Sequence, residues 1–502
     1  MLLASQPVHA QGYFGAQSPI SDSLPPSGQP AWVFIPRLGI DEMLTDNVLQ
    51  TSSDRKSDLI NVITPGISIQ GDTARVKLVL DYAPSVQRYV HETDQNRVDQ
   101  NLFASGLATL VPDLFFFDAH ASMAPASRVG GIGTTSPQLI PQGQSTQTAA
   151  ISASPYLQSN IGTLAQAELR YTFSGSFFSG HTGALTAGNA TIGPLSNSTQ
   201  QEGLFRLGTG EDFGRLHSAL VADTQRISGS GANTSSQNNY VELDNEYAIS
   251  REFFAILQGG YEDLTYPGNS QLDSRGAIWA VGGRWQPTAD ASISLTYGRR
   301  YNGSNINGNL NYLIGAVTHL TASYTENIQT TQQAIIQNLG QAGLGSGGTT
   351  VNPGTGLPIT VVNPNFPLQN DIFRTRTFQA GISTGFDKDQ FTLTAFNEER
   401  ISLTGATSND TTRGGTLNWN REIDPRTTAF AQVSYTRDTN FSQRSFDVSL
   451  ALRYVFTDSV SGGIRYDYIY QSANTVAFAI PQTVGGLNYT QNVLTFSLRK
   501  TF

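Results

Sequence analysis

Ser445-Phe446-Asp447-Val448-Ser449-Leu450-Ala451-Leu452-Arg453-Tyr454-Val455-Phe456 changes character at nearly every step. Phe446, Val448, Leu450, Leu452, Tyr454 and Phe456 fall on one side of a period-two repeat, and Ser445, Asp447, Ser449, Ala451, Arg453 and Val455 on the other. Successive side chains of a strand point to opposite faces, so this stretch is a strand with one apolar and one largely polar face. After Thr457-Asp458-Ser459 the pattern restarts, with Ile464, Tyr466, Tyr468 and Tyr470 against Arg465, Asp467 and Gln471. The last segment sets Leu494, Phe496, Leu498 and Phe502 opposite Thr495, Ser497, Arg499 and Thr501. An apolar face ending in aromatics, backed by a polar face with charges, is the pattern of an outer-membrane barrel strand. A soluble sandwich with one solvated face alternates too, but recurrence along the whole chain favours the barrel.

Composition agrees. Charged residues make up 14% of the 502-residue chain, well below a soluble domain's usual share of about 25%, yet hydrophobic content is only 38%. No apolar run exceeds five residues (Phe253–Leu257, Ala277–Val281), whereas a membrane-spanning helix needs about 20. A barrel reconciles these facts, because only alternate residues face lipid and closed strands satisfy each other's backbone groups. With no cysteine there are no disulfides, thiolate metal sites or covalently attached haem. The net charge of −9 argues against nucleic acid as a partner. Residues 1–10, with Val8-His9-Ala10 as a loose cleavage site, read as the remnant of a signal peptide. The mature chain is then expected to start near Gln11, with a periplasmic segment over 11–31 and the barrel over 32–502.

Short turns are expected at Gly71-Asp72-Thr73, Val111-Pro112-Asp113, Thr209–Asp212, Ile249–Glu252, Pro287–Asp290, Asp387–Gln390, Asp424–Thr427 and Thr457–Ser459, where Asp, Gly and Pro supply tight-turn angles. Long polar connections are expected at Ala124–Thr148, Ser179–Gln200 and Gln329–Ile372, with a short helix over Gln333–Leu344. This alternation of short and long connections predicts an all-β, antiparallel, up-and-down transmembrane barrel of about 22 strands, within a range of 20–24. Such a barrel is too wide for side chains to fill, so it holds water or a plug. Only the long loops are candidates for a constriction.

The polar face predicts a lumen lined by Lys77, Asp81, Glu262, Arg284, Asp447, Arg453, Arg465, Asp467 and Arg499, with Ser292, Ser294, Thr296, Gln432 and Ser434. Both signs recur on neighbouring strands, unlike the single-sign rings of ion-selective pores. Two readings follow: a path for a large, weakly charged solute, or paired charges that brace the wall. Tyr82, Trp279, Trp285, Tyr297, Tyr435, Tyr454 and Tyr466 are candidates for the lipid face and its girdles.

Motifs that resemble chemistry lack their context. Gly381-Ile-Ser383-Thr-Gly385 has the nucleophile-elbow spacing but sits inside an alternating strand, without the helix that exposes such a serine. Gly343-Leu-Gly345-Ser-Gly347-Gly348 lies in a loop without flanking strand and helix. His9, His91, His120, His181, His217 and His319 are scattered, with no metal-ligand spacing. Asp94, Asp410 and Asp438, near the loops, read first as solvated loop charge and second as contacts for divalent cations bound to surface glycolipid. No catalytic residues, metal ligands or cofactor are assigned, and the chain is expected not to be an enzyme.

The N-terminal third carries Leu38-Gly-Ile-Asp-Glu-Met-Leu-Thr45-Asp46-Asn47-Val48, then Ser57-Asp58-Leu-Ile-Asn-Val-Ile-Thr-Pro65-Gly66-Ile-Ser68, then Leu80-Asp81-Tyr82-Ala-Pro84. Asn101–Val111 follows, leading to Pro112-Asp113-Leu-Phe-Phe-Phe-Asp118-Ala. This stretch, about residues 33–125, resembles the outer-membrane barrels associated with bacterial exopolysaccharide clusters and PEP-CTERM sorting systems. The resemblance implies a Gram-negative outer-membrane protein acting as a passive channel in exopolysaccharide export or surface assembly, with polysaccharide and periplasmic export proteins as partners. A porin for small hydrophilic solutes is the alternative if the long loops fold inward; a structural or adhesive barrel is another. Lipid, lipopolysaccharide and, through the strand ending at Phe502, the barrel-assembly machinery are the remaining expected partners.

Overall fold

The computed structural model describes residues 31–129, 137–187, 190–231, 234–315, 317–344, 350–352, 360–405, 409–439, 443–472 and 488–502. Alternating segments form one antiparallel sheet that closes on itself. The first strand, Trp32–Thr45, pairs along its length with Asp58–Asp72 and, on its other edge, with the last strand, Tyr489–Thr501. Of the sheet's 24 segments, Val76–Tyr82 and Ser85–Tyr89 form one pass of the wall, and Arg97–Asp99 and Leu102–Val111 another. That leaves the expected 22 passes. Both breaks have one origin: Pro84 offers no N–H to the ladder, and Ala83 donates to the carbonyl of Asn101 across it (2.9 Å).

The first face of the repeat is the exposed one. Leu295, Leu257, Leu450, Trp279, Tyr297 and Phe496 stand outward, each more than two-fifths exposed, in a continuous band around the wall. A soluble monomer does not present apolar surface on this scale, whereas lipid covers it without cost. On the strand Arg444–Thr457 the band runs from Phe446 to Tyr454 and Phe456, about 33 Å along the strand and, with the usual tilt, about 25 Å in height. Tyr435, Tyr454 and Tyr466 are exposed in the same band, and Tyr82 shares the outward register with its hydroxyl on Gln100 (2.6 Å). The chain is an outer-membrane β-barrel.

Short turns gather at one end of the wall, and all eight expected ones lie there, with Asp113 and Asp387 in the left-handed region that tight turns demand. Two further strand pairs are joined at this end, Ser145–Ile161 with Ala165–Gly180 and Gly303–Ile314 with Thr318–Thr330. The other end carries the long connections, shortened because strands Phe115–Ser127, Ser145–Ile161 and Ala165–Gly180 extend into them. Both described chain ends lie at the short-turn end; the exposed Phe502 donates its N–H to the carbonyl of Pro36 (2.9 Å). The leader remnant and residues 11–30 lie outside the described residues.

The motif residues of the N-terminal third are engaged in closing this wall. Asn47 Nδ2 donates to the carbonyl of Thr490 (2.9 Å). The Asp46 carboxylate accepts from the N–H and the Nδ2 of Asn492, each at 2.7 Å. Thr45 Oγ1 accepts from Gln491 Nε2 (3.0 Å). Gly66 faces inward beside Arg37, where an added Cβ would stand 3.0 Å from the guanidinium that pairs with Asp81.

Candidate functional site: the constricted outer mouth

At the long-loop end, the loops fold into the barrel. Thr330 caps a helix over Thr331–Gln341: Gln333 N–H donates to its hydroxyl (3.1 Å), and its own N–H donates to Gln333 Oε1 (2.7 Å). The expected helix at 333–344 is therefore present, begun two residues earlier by this capping box. Its buried Ile335 and Leu339 pack against Ala126, Ala150 and Phe178, together with Leu195 and Leu368 of the loops. Ala126, Ala150 and Phe178 are inward-facing residues of the three strands Phe115–Ser127, Ser145–Ile161 and Ala165–Gly180. The helix is tethered to Thr318–Thr330, eight or more strands further round the wall. A circular ring of 22 strands would be roughly 45 Å across, whereas an 11-residue helix is only about 16 Å long. Touching both sides means that the strand ends and loops draw the mouth in around it.

Further ties hold this loop to the wall. Gln333 Nε2 donates to Gln225 Oε1 on the strand Leu216–Gly229 (3.2 Å). Asn363 Nδ2 donates to Glu398 (2.8 Å), and the Arg400 guanidinium stacks 3.8 Å from the ring of buried Phe366. Gln332 reaches the carbonyl of Ser196 (3.1 Å) and Asn370 Oδ1 (2.6 Å), while Asn370 Nδ2 donates to the carbonyl of Pro194 (2.7 Å). Residues 137–144 lie over the closing seam. Leu139 packs with Met43, Ile60, Tyr89, Ile469 and Val493, its carbonyl accepts from Gln50 (3.0 Å), and Arg97 donates to the carbonyl of Ile140 (2.7 Å).

Arg128 links residues of two of these connections. Its guanidinium is fully buried and donates to the carbonyls of His181 (3.1 Å), Gly183 and Gly193 (2.7 Å), while its own carbonyl accepts from Leu368 N–H (3.2 Å). Burial pushes its ionisation down to about 10, so it stays charged at neutral pH. Replacing Arg128 with Ala leaves the carbonyls of His181, Gly183 and Gly193 without its guanidinium. A loss of about 3 kcal/mol in local stability follows, read as faster proteolysis next to His181 and Gly193 in the folded barrel. Equal protease resistance in the variant would contradict the joint.

The inner wall carries charge in pairs. All nine residues expected on the lumen face lie in the inward register, opposite the apolar band. Asp81 pairs with Arg37, Glu262 with Arg300 (3.0 Å), Arg284 with Glu246, Arg465 with Asp467 (2.8 Å) and Arg499 with Asp41 (2.7 Å). Asp447 accepts from Ser434 and Ser445 (3.1 Å each), and Arg453 donates to Ser461 (3.3 Å). Lys77 lies between Asp72 and Leu107 on its neighbours. Sequence reading missed several partners, among them Arg37, Arg300, Glu246 and the cluster of Arg170 with Glu168 (2.8 Å) and Asp118 (3.9 Å). Each sat in plain alternation, but only the register says which acid meets which base. Asp410 and Asp438 are buried in the inward register beside Arg400 and Thr412, not solvated as expected, because their strands extend into the mouth. Ser383 lies in mid-strand opposite Thr392, as its alternation implied.

Inward residues are buried towards the loops (Ser445, Asp447 and Ser449 on one strand) and open towards the short turns (Arg453). On this strand the interior is thus packed at the outer end and open at the inner one. No family model and no curated protein matches the chain. Among solved structures, the siderophore receptor PirA from Acinetobacter baumannii is 9% identical, with 93% of this chain and 80% of that one covered at a TM-score of 0.47. The FrpB iron transporter from Neisseria meningitidis is 10% identical, with 94% and 82% covered at 0.49. A mutant of the ferric enterobactin receptor from Pseudomonas aeruginosa is 8% identical, with 93% and 80% covered at 0.48.

Proposed function

We propose that this barrel is an outer-membrane channel for small hydrophilic solutes, narrowed at its outer mouth by its own loops. The observation that carries the reading is the helix Thr331–Gln341, seated on the inner wall instead of standing above it. A polymer conduit needs an open bore, and a mouth crossed by a packed helix selects by size. Paired charges along the wall leave no field of one sign, which suits neutral and weakly charged solutes more than either class of ion.

Liposome swelling tests this directly. Vesicles carrying the folded full chain should swell in monosaccharides and disaccharides and stay shrunken in long oligosaccharides. Export of exopolysaccharide, implied by the resemblance over residues 33–125, is the second reading. Equal passage of long and short saccharides would favour it and overturn the proposal.

A further inference from the structure

Arg413, Arg437 and Arg444 lie side by side on the outward face of three successive strands, Asp410–Asp424, Thr427–Asp438 and Arg444–Thr457. Arg413 is directly opposite Arg437, and Arg437 directly opposite Arg444. Like charges in direct cross-strand register repel, so three in a row call for an anion. Among the described residues no carboxylate forms an ion pair with any of the three, and the buried Nε of Arg437 has no hydrogen-bond partner. The nearest acid on this face, Glu399, is taken by Arg376 (3.2 Å). The contrast is with the inner wall, where Arg37, Arg284, Arg300, Arg400, Arg465 and Arg499 each hold an acid.

The position of the row says where the anion sits. Two residues further along the second and third of these strands are Tyr435 and Phe446, in register with each other and with Tyr470 on the next strand, Val460–Ser472, and all three are outward and exposed. They form the aromatic girdle at the outer edge of the apolar band. A two-residue step is about 7 Å, which sets the arginines at the level of the lipid headgroups in the outer leaflet. Guanidinium groups in a row offer paired N–H donors suited to phosphate oxygens.

We propose that Arg413, Arg437 and Arg444 hold the phosphate of an outer-leaflet lipid headgroup, with its acyl chains lying along the apolar band below Tyr435 and Phe446. The test is native mass spectrometry of the folded full chain in detergent, titrated with bisphosphorylated lipid A, with the same lipid lacking its phosphates, and with inorganic phosphate as competitor. The expected result is retention of bisphosphorylated lipid A. Loss of the phosphates, or the triple variant R413Q/R437Q/R444Q, should each weaken retention by about tenfold or more. Inorganic phosphate at millimolar concentration should not displace the lipid. Equal retention of phosphorylated and dephosphorylated lipid by the unaltered protein would overturn the proposal without recourse to a variant. Displacement by inorganic phosphate would also overturn it, marking a site for a free anion. Gel mobility before and after heating checks that the triple variant is folded, and a folded variant that retains the lipid as well as the parent contradicts the assignment.

Discussion

Changing Ile335 and Leu339 together to Asp raises single-channel conductance severalfold while the barrel itself stays folded. Both side chains are buried against Ala126, Ala150 and Phe178. Burying each apolar side chain contributes roughly 1.5–3 kcal/mol, and a carboxylate placed there without a partner costs more still. Its other described ties, to Gln225, Ser196, Gln369, Asn370 and Val361, are single hydrogen bonds worth about 1 kcal/mol each, so Ile335 and Leu339 carry a large share of its docking. It therefore leaves the wall. The strand ladder needs nothing from it, so the variant should still show the compact, heat-modifiable mobility of a closed barrel. Planar-bilayer recordings read the effect, and an unchanged conductance in a folded variant would mean that the helix does not narrow the path.

The second large effect lies at the seam. Asp46→Ala with Asn47→Ala removes the carboxylate that takes two hydrogen bonds from Asn492 and the amide that holds the carbonyl of Thr490. Three contacts between the first hairpin and the last strand are lost, one of them a buried amide, for roughly 3–5 kcal/mol. The loss falls on the one strand pair whose partners are more than 440 residues apart in the chain, where loop-closure entropy gives the least help. The heat needed to unfold the barrel on a gel should drop clearly. An unaltered transition would show that the ladder from Arg37 to Thr45 closes the barrel unaided.

The wall was legible in the sequence because lipid enforces a strict rule. A residue such as Leu450 or Trp279 either faces hydrocarbon or does not, and alternation records the answer. Short turns were legible for a local reason, since residues such as Asp113 can adopt angles that others resist. The helix could be seen through Thr330 and Gln333, but not where it docks. That depends on Ala126, Ala150 and Phe178, which look like any small or apolar residues of a strand end and lie far back in the chain. Register was the other hidden quantity. Arg300 could be read as inward, yet only the pairing of four strands brings Glu242 and Glu262 to it. The same register turns Arg413, Arg437 and Arg444 from scattered surface charge into a row. Resemblance over residues 33–125 pointed to export, whereas in the fold Thr45, Asp46, Asn47 and Gly66 hold the seam and make room for the first ion pair.

Cross-linking tests most directly whether the helix sits inside the mouth. The chain has no cysteine, so Gln333→Cys and Gln225→Cys introduce a unique pair at the contact between helix and wall. Membranes carrying the folded double variant are treated with a short thiol-specific bifunctional reagent, and conductance is recorded before and after. An efficient internal link with conductance unchanged is the predicted result, because the link only fixes what is already in place. Failure to link, in a protein where each cysteine alone reacts with the same reagent, would contradict the account.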